Sequence, residues 1–270
     1  MIRINIDPIM FQLGPLAFSW HGLFTAIAVV VAVWLGLSLA QRYNVDQEKL
    51  SNLIIWIIVG GVVGARLMHV LDHLSYYSQN PVEIIAVWKG GIAVYGSFIG
   101  GIVAGLIAAR LYRLPVWPLL DAAAPAMLVG QMIGRIGCLI NGDAWGEPTN
   151  AGWGLVYVNP GAQLPSSLIG VPTHPYPVYE IVACGLLLVI VFYLWRRVQV
   201  PGVTFLVAAI GYGVIRFGLT YFRQETIVAF GLQEAQVIAL ITIVLSLILL
   251  LVRLGFNRSS YTLTTSEQSR

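Results

Sequence analysis

Long apolar runs recur along this 270-residue chain and constrain its fold more than any other feature. Seven of them approach the roughly 20 residues that an α-helix needs to cross a bilayer. They occupy 16–40, 53–71, 91–110, 119–140, 178–195, 203–219 and 236–254. Hydrophobic residues make up 58% of the chain and charged residues only 10%, which is more apolar surface than a soluble domain can bury. The sequence therefore predicts an all-α integral membrane protein with seven transmembrane helices.

The spacing of the runs predicts one seven-helix membrane domain over 1–254, followed by a Ser/Thr-rich tail at 255–270 that we expect to be disordered. The connector at 141–177, between the fourth and fifth runs, is rich in Gly, Pro and Asn and contains a candidate strand at 152–158. Connectors of this length are usually functional or disordered, and the aromatic residues here favour a small folded head. The first run has no basic leader and no cleavage site, so we expect it to be retained as a helix.

The distribution of basic residues predicts the orientation of the chain, because cytoplasmic loops carry an excess of Lys and Arg. With the N-terminus exoplasmic and the C-terminus cytoplasmic, the cytoplasmic connectors and tail hold Arg42, Lys49, Arg110, Arg113, Arg196, Arg197, Arg253, Arg258 and Arg270. The exoplasmic side then holds only Arg3, Lys89 and Arg223, and the head is exoplasmic. The net charge of +3 is too small to indicate a nucleic-acid partner.

Small residues indicate how the predicted helices pack. Glycines recur at four-residue spacing, a pattern typical of close helix–helix contact in membranes. The pairs are Gly60/Gly64, Gly96/Gly100, Gly101/Gly105 and Gly130/Gly134. The two cysteines, Cys138 and Cys184, have neither a zinc-site spacing nor a disulfide pattern, so we expect no metal site and interpret Cys184 as a packing residue.

Three arginines lie inside predicted spans at a similar depth. Arg66, Arg135 and Arg216 each stand a few residues before the exoplasmic end of a span, roughly 5–8 Å below the boundary at 1.5 Å per residue. The other polar residues expected at this depth are His21, Tyr95, Tyr179, Glu180 and Tyr212. Charged groups at membrane depth are costly and usually functional, and guanidinium groups suit phosphate. The sequence therefore predicts a site for an anionic phospholipid headgroup.

Structural explanations remain open for each of these residues. A single arginine can snorkel to the interface or form an ion pair, and Asp143, Glu147 and Glu180 are the nearest acids. A site that breaks a bond at phosphate also needs proton transfer, for which His21 is the best-placed titratable group, although a structural histidine is an equal alternative. We interpret Asp121 as a helix cap or a dipole partner.

Several stretches, in order, resemble the bacterial prolipoprotein diacylglyceryl transferase family. They are W-H-G-L at 20–23, G-A-R-L at 64–67, W-K-G-G-I-A-V-Y-G at 88–96, G-R-I-G-C-L-I-N-G-D-A-W-G at 134–146, H-P-Y-P-V-Y-E at 174–180 and Y-G-V-I-R-F at 212–217, followed by F-R at 222–223 and Gln236. The fourth stretch corresponds to the signature region of the family. The resemblance covers nearly the whole chain.

This resemblance implies a multi-pass enzyme of the bacterial inner membrane that catalyses the first step of lipoprotein maturation. Such an enzyme transfers the diacylglyceryl group of phosphatidylglycerol to the lipobox cysteine thiol in a prolipoprotein signal peptide and releases glycerol phosphate. The resemblance implies no cofactor and no metal, and its partners are membrane lipids and prolipoproteins. It assigns Arg135 as the main phosphatidylglycerol-binding residue.

The predicted site combines the resemblance with the depth argument. The candidate catalytic residues are Arg135, Arg216, His21 and Tyr95. The candidate lipid-binding residues are Arg135, Asn141, Asp143, Gly146, Tyr212 and Arg66.

The chain departs from the pattern of that family at four positions. The family usually has tyrosine at His21 and histidine at Tyr95, an exchange that preserves hydrogen bonding if both side chains face one cavity. It usually has asparagine at Cys138 and glutamate at Thr220, and only Glu225 is near enough in sequence to compensate for the latter. A diverged paralogue that binds lipid or transfers it to another acceptor is therefore an alternative. A small-solute transporter is a weaker alternative, because transporters concentrate polar residues at the midplane.

Overall fold

The computed structural model describes residues 1–14, 16–86, 90–91, 93–223 and 227–267, and for 94 and 256–267 it describes the backbone alone. Within these residues the α-helices are α1 (Trp20–Ala40), α2 (Gln47–Asp72), α3 (Leu74–Gln79), α4 (Val94–Leu111), α5 (Val116–Asn141), α6 (Tyr176–Arg197), α7 (Val203–Thr220) and α8 (Glu234–Glu267). The strands are β1 (Ile2–Ile4), β2 (Ile9–Leu13), β3 (Leu16–Ser19), β4 (Leu155–Tyr157), β5 (Pro172–Thr173), β6 (Ile227–Ala229) and β7 (Leu232–Gln233).

Six of the described helices are long and apolar enough to cross a membrane, namely α1, α2, α5, α6, α7 and the first part of α8. This confirms the prediction of a mostly helical, multi-pass membrane protein. The run at 91–110 forms α4, whose described side chains cover only Tyr95–Leu111. At 1.5 Å per residue this helix is roughly 25 Å long, slightly less than the hydrocarbon core of a typical bilayer.

The first apolar run was predicted to be helical from residue 16, and this predicted helix start is wrong. Residues Leu16–Ser19 form β3, which pairs antiparallel with β2, and α1 begins only at Trp20. Gly14, with φ of +59°, lies between the two strands, and the rings of Phe11 and Phe18 stack at 4.6 Å. Strand and helix here share one continuous apolar run, so hydropathy alone does not reveal the boundary.

Residues Leu37–Leu119 form one compact unit, in which α2 packs against α4 through glycines. A Cβ added to Gly64 would lie 2.3 Å from the carbonyl oxygen of Gly96, and one on Gly60 would lie 2.7 Å from that of Gly100. Only hydrogen fits at such distances. The predicted close packing is therefore confirmed for these two glycine pairs.

Gly64→Ala should destabilise this unit by about 1–3 kcal/mol, because the added methyl group would overlap the backbone of α4. Gly61→Ala in the same helix is the matched control, since its Cβ would meet its nearest neighbour, the Ser97 carbonyl oxygen, at an ordinary 3.5 Å. Thermal unfolding of the two variants in detergent measures the difference. Equal melting temperatures would contradict the packing described here.

The second compact unit comprises Met1–Gly36 and Leu120–Arg270. In this unit α1 packs on α5, and Gly130 of α5 lies in close contact with Ala28 and Ala32 of α1. A Cβ on Gly134 would have no described atom within 4 Å. An apolar cluster on α5, α6 and α7 contains fully buried Cys184, as expected of a packing residue. The other buried members of that cluster are Ala124, Leu128, Leu187, Val191 and Ala208.

Asp121 on α5 caps the start of α7. Its Oδ2 accepts a hydrogen bond from the backbone N–H of Gly202 at 2.6 Å, and its Oδ1 accepts one from that of Phe205 at 2.8 Å. The first backbone N–H groups of a helix lack partners within the helix, so a carboxylate there satisfies them and complements the helix dipole. The interpretation of Asp121 as a cap is confirmed.

The connector between α5 and α6 is folded, as its aromatic content predicted. Its strand β4 lies within the predicted 152–158 segment and pairs parallel with β1 and antiparallel with β5. Leu155, Tyr157, Ala162 and Leu164 form its buried core. The hydroxyl of Tyr157 donates to the carbonyl oxygen of Leu139 at 2.8 Å, and burial raises the pKa of this tyrosine well above its usual range. The head is thereby fastened to the end of α5.

Candidate functional site

A turn after α5 presents the signature stretch to the neighbouring helices of the same unit. Helix α5 ends at Asn141, and Gly142 follows with φ of +78°, a conformation that favours glycine. The Tyr157 ring packs against Gly142, and the backbone N–H of Gln163 donates to the Asn141 carbonyl oxygen at 2.9 Å. The head therefore fixes the direction in which Asn141 and Asp143 leave the helix.

A buried carboxylate, Glu180 in the first turns of α6, is the centre of the site. Its side chain is only 1% exposed, and its Oε1 accepts hydrogen bonds from Gln131 at 2.8 Å, Tyr212 at 3.0 Å and Arg135 at 3.1 Å. Its Oε2 lies 2.8 Å from Nε of Arg135 and 3.8 Å from Nη1 of Arg216. Helices α5, α6 and α7 are thus joined by one ionic network at the level of Glu180.

A buried aromatic ring lies beside this network. Tyr176, one turn before Glu180, has the guanidinium carbons of Arg135 and Arg216 each 5.8 Å from its ring centroid and that of Arg223 at 5.0 Å. Its hydroxyl also accepts a hydrogen bond from Arg216. Cations are attracted to aromatic faces, so the ring keeps guanidinium groups close together in spite of their mutual repulsion.

A second group of polar side chains adjoins Arg135 on the side of α1. Arg135 Nη1 donates to Cys138 Sγ at 3.6 Å, and that sulfur lies 3.7 Å from His21 Nδ1. The same His21 nitrogen lies 3.1 Å from Asp143 Oδ2, which also accepts a hydrogen bond from Asn141 at 3.2 Å. The Cα of His21 and the side chain of Phe24 pack against Gly137, which lets α1 approach α5 closely.

The net charge of the two arginines and Glu180 favours the binding of an anion. Arg135 and Arg216 share Glu180, so this trio carries one more positive than negative charge. Guanidinium groups offer several donors in a planar fork and recognise phosphate and carboxylate with paired hydrogen bonds. Arg216 lies 1.0 Å farther from the Glu180 oxygen than Arg135 does, at 3.8 Å against 2.8 Å.

The structure brings most of the predicted site residues of this unit into one network: Arg135, Arg216, Tyr212, His21, Asn141 and Asp143. Gly146 is not one of the residues joined by these bonds, and a Cβ there would meet the carbonyl oxygen of His174 at 2.6 Å and that of Phe222 at 3.0 Å. Its geometry explains the glycine as a close backbone contact, and its role in lipid binding stays a prediction.

Arg66 and Tyr95 belong to the other compact unit. Arg66 is 7% exposed and donates hydrogen bonds to four backbone carbonyls, those of Glu83, Ile84, Gly90 and Gly91. These bonds hold the segment after α3 against α2, which gives Arg66 a scaffolding role. Tyr95, in the first turn of α4, is half exposed. The predicted lipid-binding and catalytic roles of Arg66 and Tyr95 stay predictions.

Sequence reasoning placed Glu180 near the arginines but missed its central position, and it missed Gln131 and Tyr176 altogether. A signal for them exists in the spacing. Gln131 precedes Arg135 by four residues, and Tyr176 precedes Glu180 by four, as Tyr212 precedes Arg216. Residues at that spacing share a helix face, so each helix presents a pair to the same site. Glu225, named as a replacement for the acid missing at Thr220, lies outside the described residues.

Among the described residues, six apolar helices long enough to cross a bilayer, with a network of arginines, tyrosines and one carboxylate between α5, α6 and α7, define the class of multi-pass membrane proteins that contain an ionic cluster. Comparison with known proteins gives the family. Residues 8–252 match the model of the prolipoprotein diacylglyceryl transferase family. The chain belongs to that family.

Individual relatives match over most of their length. A phosphatidylglycerol–prolipoprotein diacylglyceryl transferase of Nostoc sp. is 38% identical over 248 residues, which cover 89% of this chain and 87% of the relative. One from Thermosynechococcus vestitus is 36% identical and covers 87% of this chain and 88% of its own length. One from Dehalococcoides mccartyi is 33% identical over 98% of this chain and the whole of its own length.

Proposed function

We propose that this chain transfers the diacylglyceryl group of phosphatidylglycerol to the lipobox cysteine thiol of prolipoproteins, with release of glycerol phosphate. The observation that carries the proposal is the match to the three diacylglyceryl transferases described above, which covers at least 87% of this chain and of each relative. The buried arginine network supports it independently, because the lipid substrate carries a phosphate.

We propose that the phosphate of the lipid binds to the guanidinium groups of Arg135 and Arg216, beside the Tyr176 ring. Transfer forms a C–S bond to the acceptor and breaks the C–O bond between the glyceryl carbon and phosphate, and the electron pair leaves with glycerol phosphate. Negative charge therefore grows on the phosphate as the bond breaks, and donors already aimed at that position stabilise it. The acceptor thiol must also lose its proton.

For the membrane arrangement we propose seven spans, with α4 as the third, an exoplasmic N-terminus and head, and a cytoplasmic C-terminus. The apolar composition of α4 and the basic residues of the connectors support this orientation. The site then opens toward the exoplasmic face, where prolipoproteins emerge.

His21 and Tyr95 are proposed to act together on the acceptor thiol, a hypothesis that rests on their predicted depth and on their exchange relative to the family. We expect His21→Phe and Tyr95→Phe each to lower kcat, and the double variant to lose little more than the worse single variant. His21→Tyr combined with Tyr95→His should regain part of the activity. Losses that multiply independently in transfer assays would count against a joint role.

Complementation tests the proposed activity. A bacterial strain depleted of its own diacylglyceryl transferase should grow when this chain is expressed, and purified protein should label a lipobox peptide with diacylglycerol from radioactive phosphatidylglycerol. A peptide whose lipobox cysteine is replaced by serine is the control acceptor. A membrane-inserted protein that neither rescues growth nor labels the peptide would instead support the diverged paralogue that binds lipid without this transfer.

A further inference from the structure

The side chains of His21, Cys138 and Asp143 converge on one point, with their candidate ligand atoms all within 4.8 Å of one another. We propose that they form a binding site for a thiophilic divalent cation, with Zn²⁺ as the best match. The proposed site has three protein ligands and an open fourth position. The cation site adjoins the arginine network, because Arg135 donates to Cys138, and it shares His21 and Asp143 with the proposed transferase site. Binding of a cation goes beyond that proposed function.

The spacing of the ligand atoms matches tetrahedral zinc. With Zn–S of about 2.3 Å and Zn–N and Zn–O of about 2.0 Å, tetrahedral angles put sulfur about 3.5 Å from nitrogen and nitrogen about 3.3 Å from oxygen. The observed distances are 3.7 Å from Cys138 Sγ to His21 Nδ1 and 3.1 Å from that nitrogen to Asp143 Oδ2. These two distances differ from the tetrahedral values by only about 0.2 Å. The third pair, Cys138 Sγ and a carboxylate oxygen of Asp143, lies within 4.8 Å.

The same geometry argues against a Cys–His–Asp catalytic triad. In such a triad the nucleophile and the acid bond to opposite nitrogens of the imidazole ring, so that the acid orients the ring for the nucleophile. Here Cys138 and Asp143 both face Nδ1. Three groups directed at one point suit a shared ion, and they do not form a relay.

The surroundings supply charge balance and ligand orientation. A Cys138 thiolate and the Asp143 carboxylate together neutralise a divalent cation, while neighbouring Arg135 is paired with Glu180 at 2.8 Å. The amide of Asn141 donates to the Asp143 oxygen that faces His21, as outer partners of metal ligands commonly do. The other oxygen, Asp143 Oδ1, is buried without a hydrogen-bond partner among the described residues and is available to the ion.

The donor set favours a particular metal, and the ligands are far apart in the sequence. One sulfur, one nitrogen and one oxygen favour zinc over magnesium or calcium, which prefer oxygen alone. His21 is 40% exposed, so an ion can enter from that side. His21 and Cys138 are 117 residues apart, whereas the expectation of no metal rested on the spacing of the cysteines and on the family resemblance. Both residues also depart from the family pattern, so the site would be particular to this chain.

Cobalt(II) is a suitable probe, since it replaces zinc and gives a sulfur-to-metal charge-transfer band. The full chain, purified in detergent and stripped with a chelator, should bind about one Co²⁺ per chain with that band in the near ultraviolet. Zn²⁺ should displace the cobalt and abolish the band. The titration contains no lipid and no prolipoprotein, so its failure would say nothing about the transferase activity.

Matched variants locate the site. Cys138→Ala should abolish the charge-transfer band and weaken Co²⁺ binding by at least about tenfold, and Asp143→Asn should weaken binding while preserving side-chain shape. Cys184→Ala, which removes the other buried cysteine, should bind like the wild type. Gel filtration confirms that each variant stays folded. A wild-type protein without the band, or a band that survives Cys138→Ala, would overturn the proposal.

Discussion

Arg135→Ala should reduce lipid transfer by at least about 10²–10³-fold in kcat, the scale seen when a donor that stabilises transition-state charge is removed. Arg135 is closer to Glu180 than Arg216 is, with its Nε at 2.8 Å, and its Nη1 donates to Cys138. Its removal takes away the charge that we propose meets the phosphate of phosphatidylglycerol. Initial rates with labelled lipid and a lipobox peptide measure the effect.

Loss of Arg135 also leaves Glu180 buried without its closest partner, so instability must be separated from lost chemistry. Combining Arg135→Ala with Glu180→Gln removes the uncompensated carboxylate and should restore stability without restoring transfer. Arg197→Ala is the positive-charge control, because Arg197 lies at the far end of α6, roughly 25 Å from Glu180 at 1.5 Å per residue. Wild-type rates from a folded Arg135→Ala protein would refute the assigned role.

Glu180→Ala should destabilise the protein by about 3–5 kcal/mol, the usual cost of removing one partner from a buried ion pair. Glu180 accepts hydrogen bonds from three side chains and holds Arg135 and Arg216 against each other. Without it, two guanidinium groups repel each other in an apolar setting. Thermal or denaturant unfolding in detergent, followed by tryptophan fluorescence, measures the loss.

Two control variants are compared with Glu180→Ala in the unfolding measurement. Glu234→Ala removes an exposed acid at the start of α8 and should cost less than about 1 kcal/mol, as expected for a surface charge near a helix N-terminus. Glu180→Gln keeps the shape and one acceptor oxygen, and it should be less damaging than alanine. If Glu180→Ala unfolds at the same temperature as Glu234→Ala, the carboxylate does not hold the helices together.

The parts of the site that sequence predicts are those that local rules determine. Arg135 and Arg216 stand near the ends of apolar helices, so their depth follows from the length of each run, and a charge at that depth makes them candidates for function. Tyr212 and Arg216 are also four residues apart and must share a helix face. These inferences need no knowledge of how the helices are arranged.

The parts that sequence does not predict depend on the path of the chain between helices. The carbonyls bound by Arg66 lie 17 to 25 residues beyond it, in a segment whose route no local pattern fixes. No local pattern predicts the contact between His21 and Cys138 either, because it depends on the close approach of α1 to Gly137. The hydropathy pattern likewise predicted one helix over β3 and α1, because the strand and the helix are both apolar.

The parallel pairing of β1 with β4 imposes an order on biosynthesis. Ile2–Ile4 precedes α1 to α5 in the chain, whereas its partner Leu155–Tyr157 follows them and is synthesised only after those helices. The opening residues must therefore wait, unpaired, until the fifth helix has entered the bilayer.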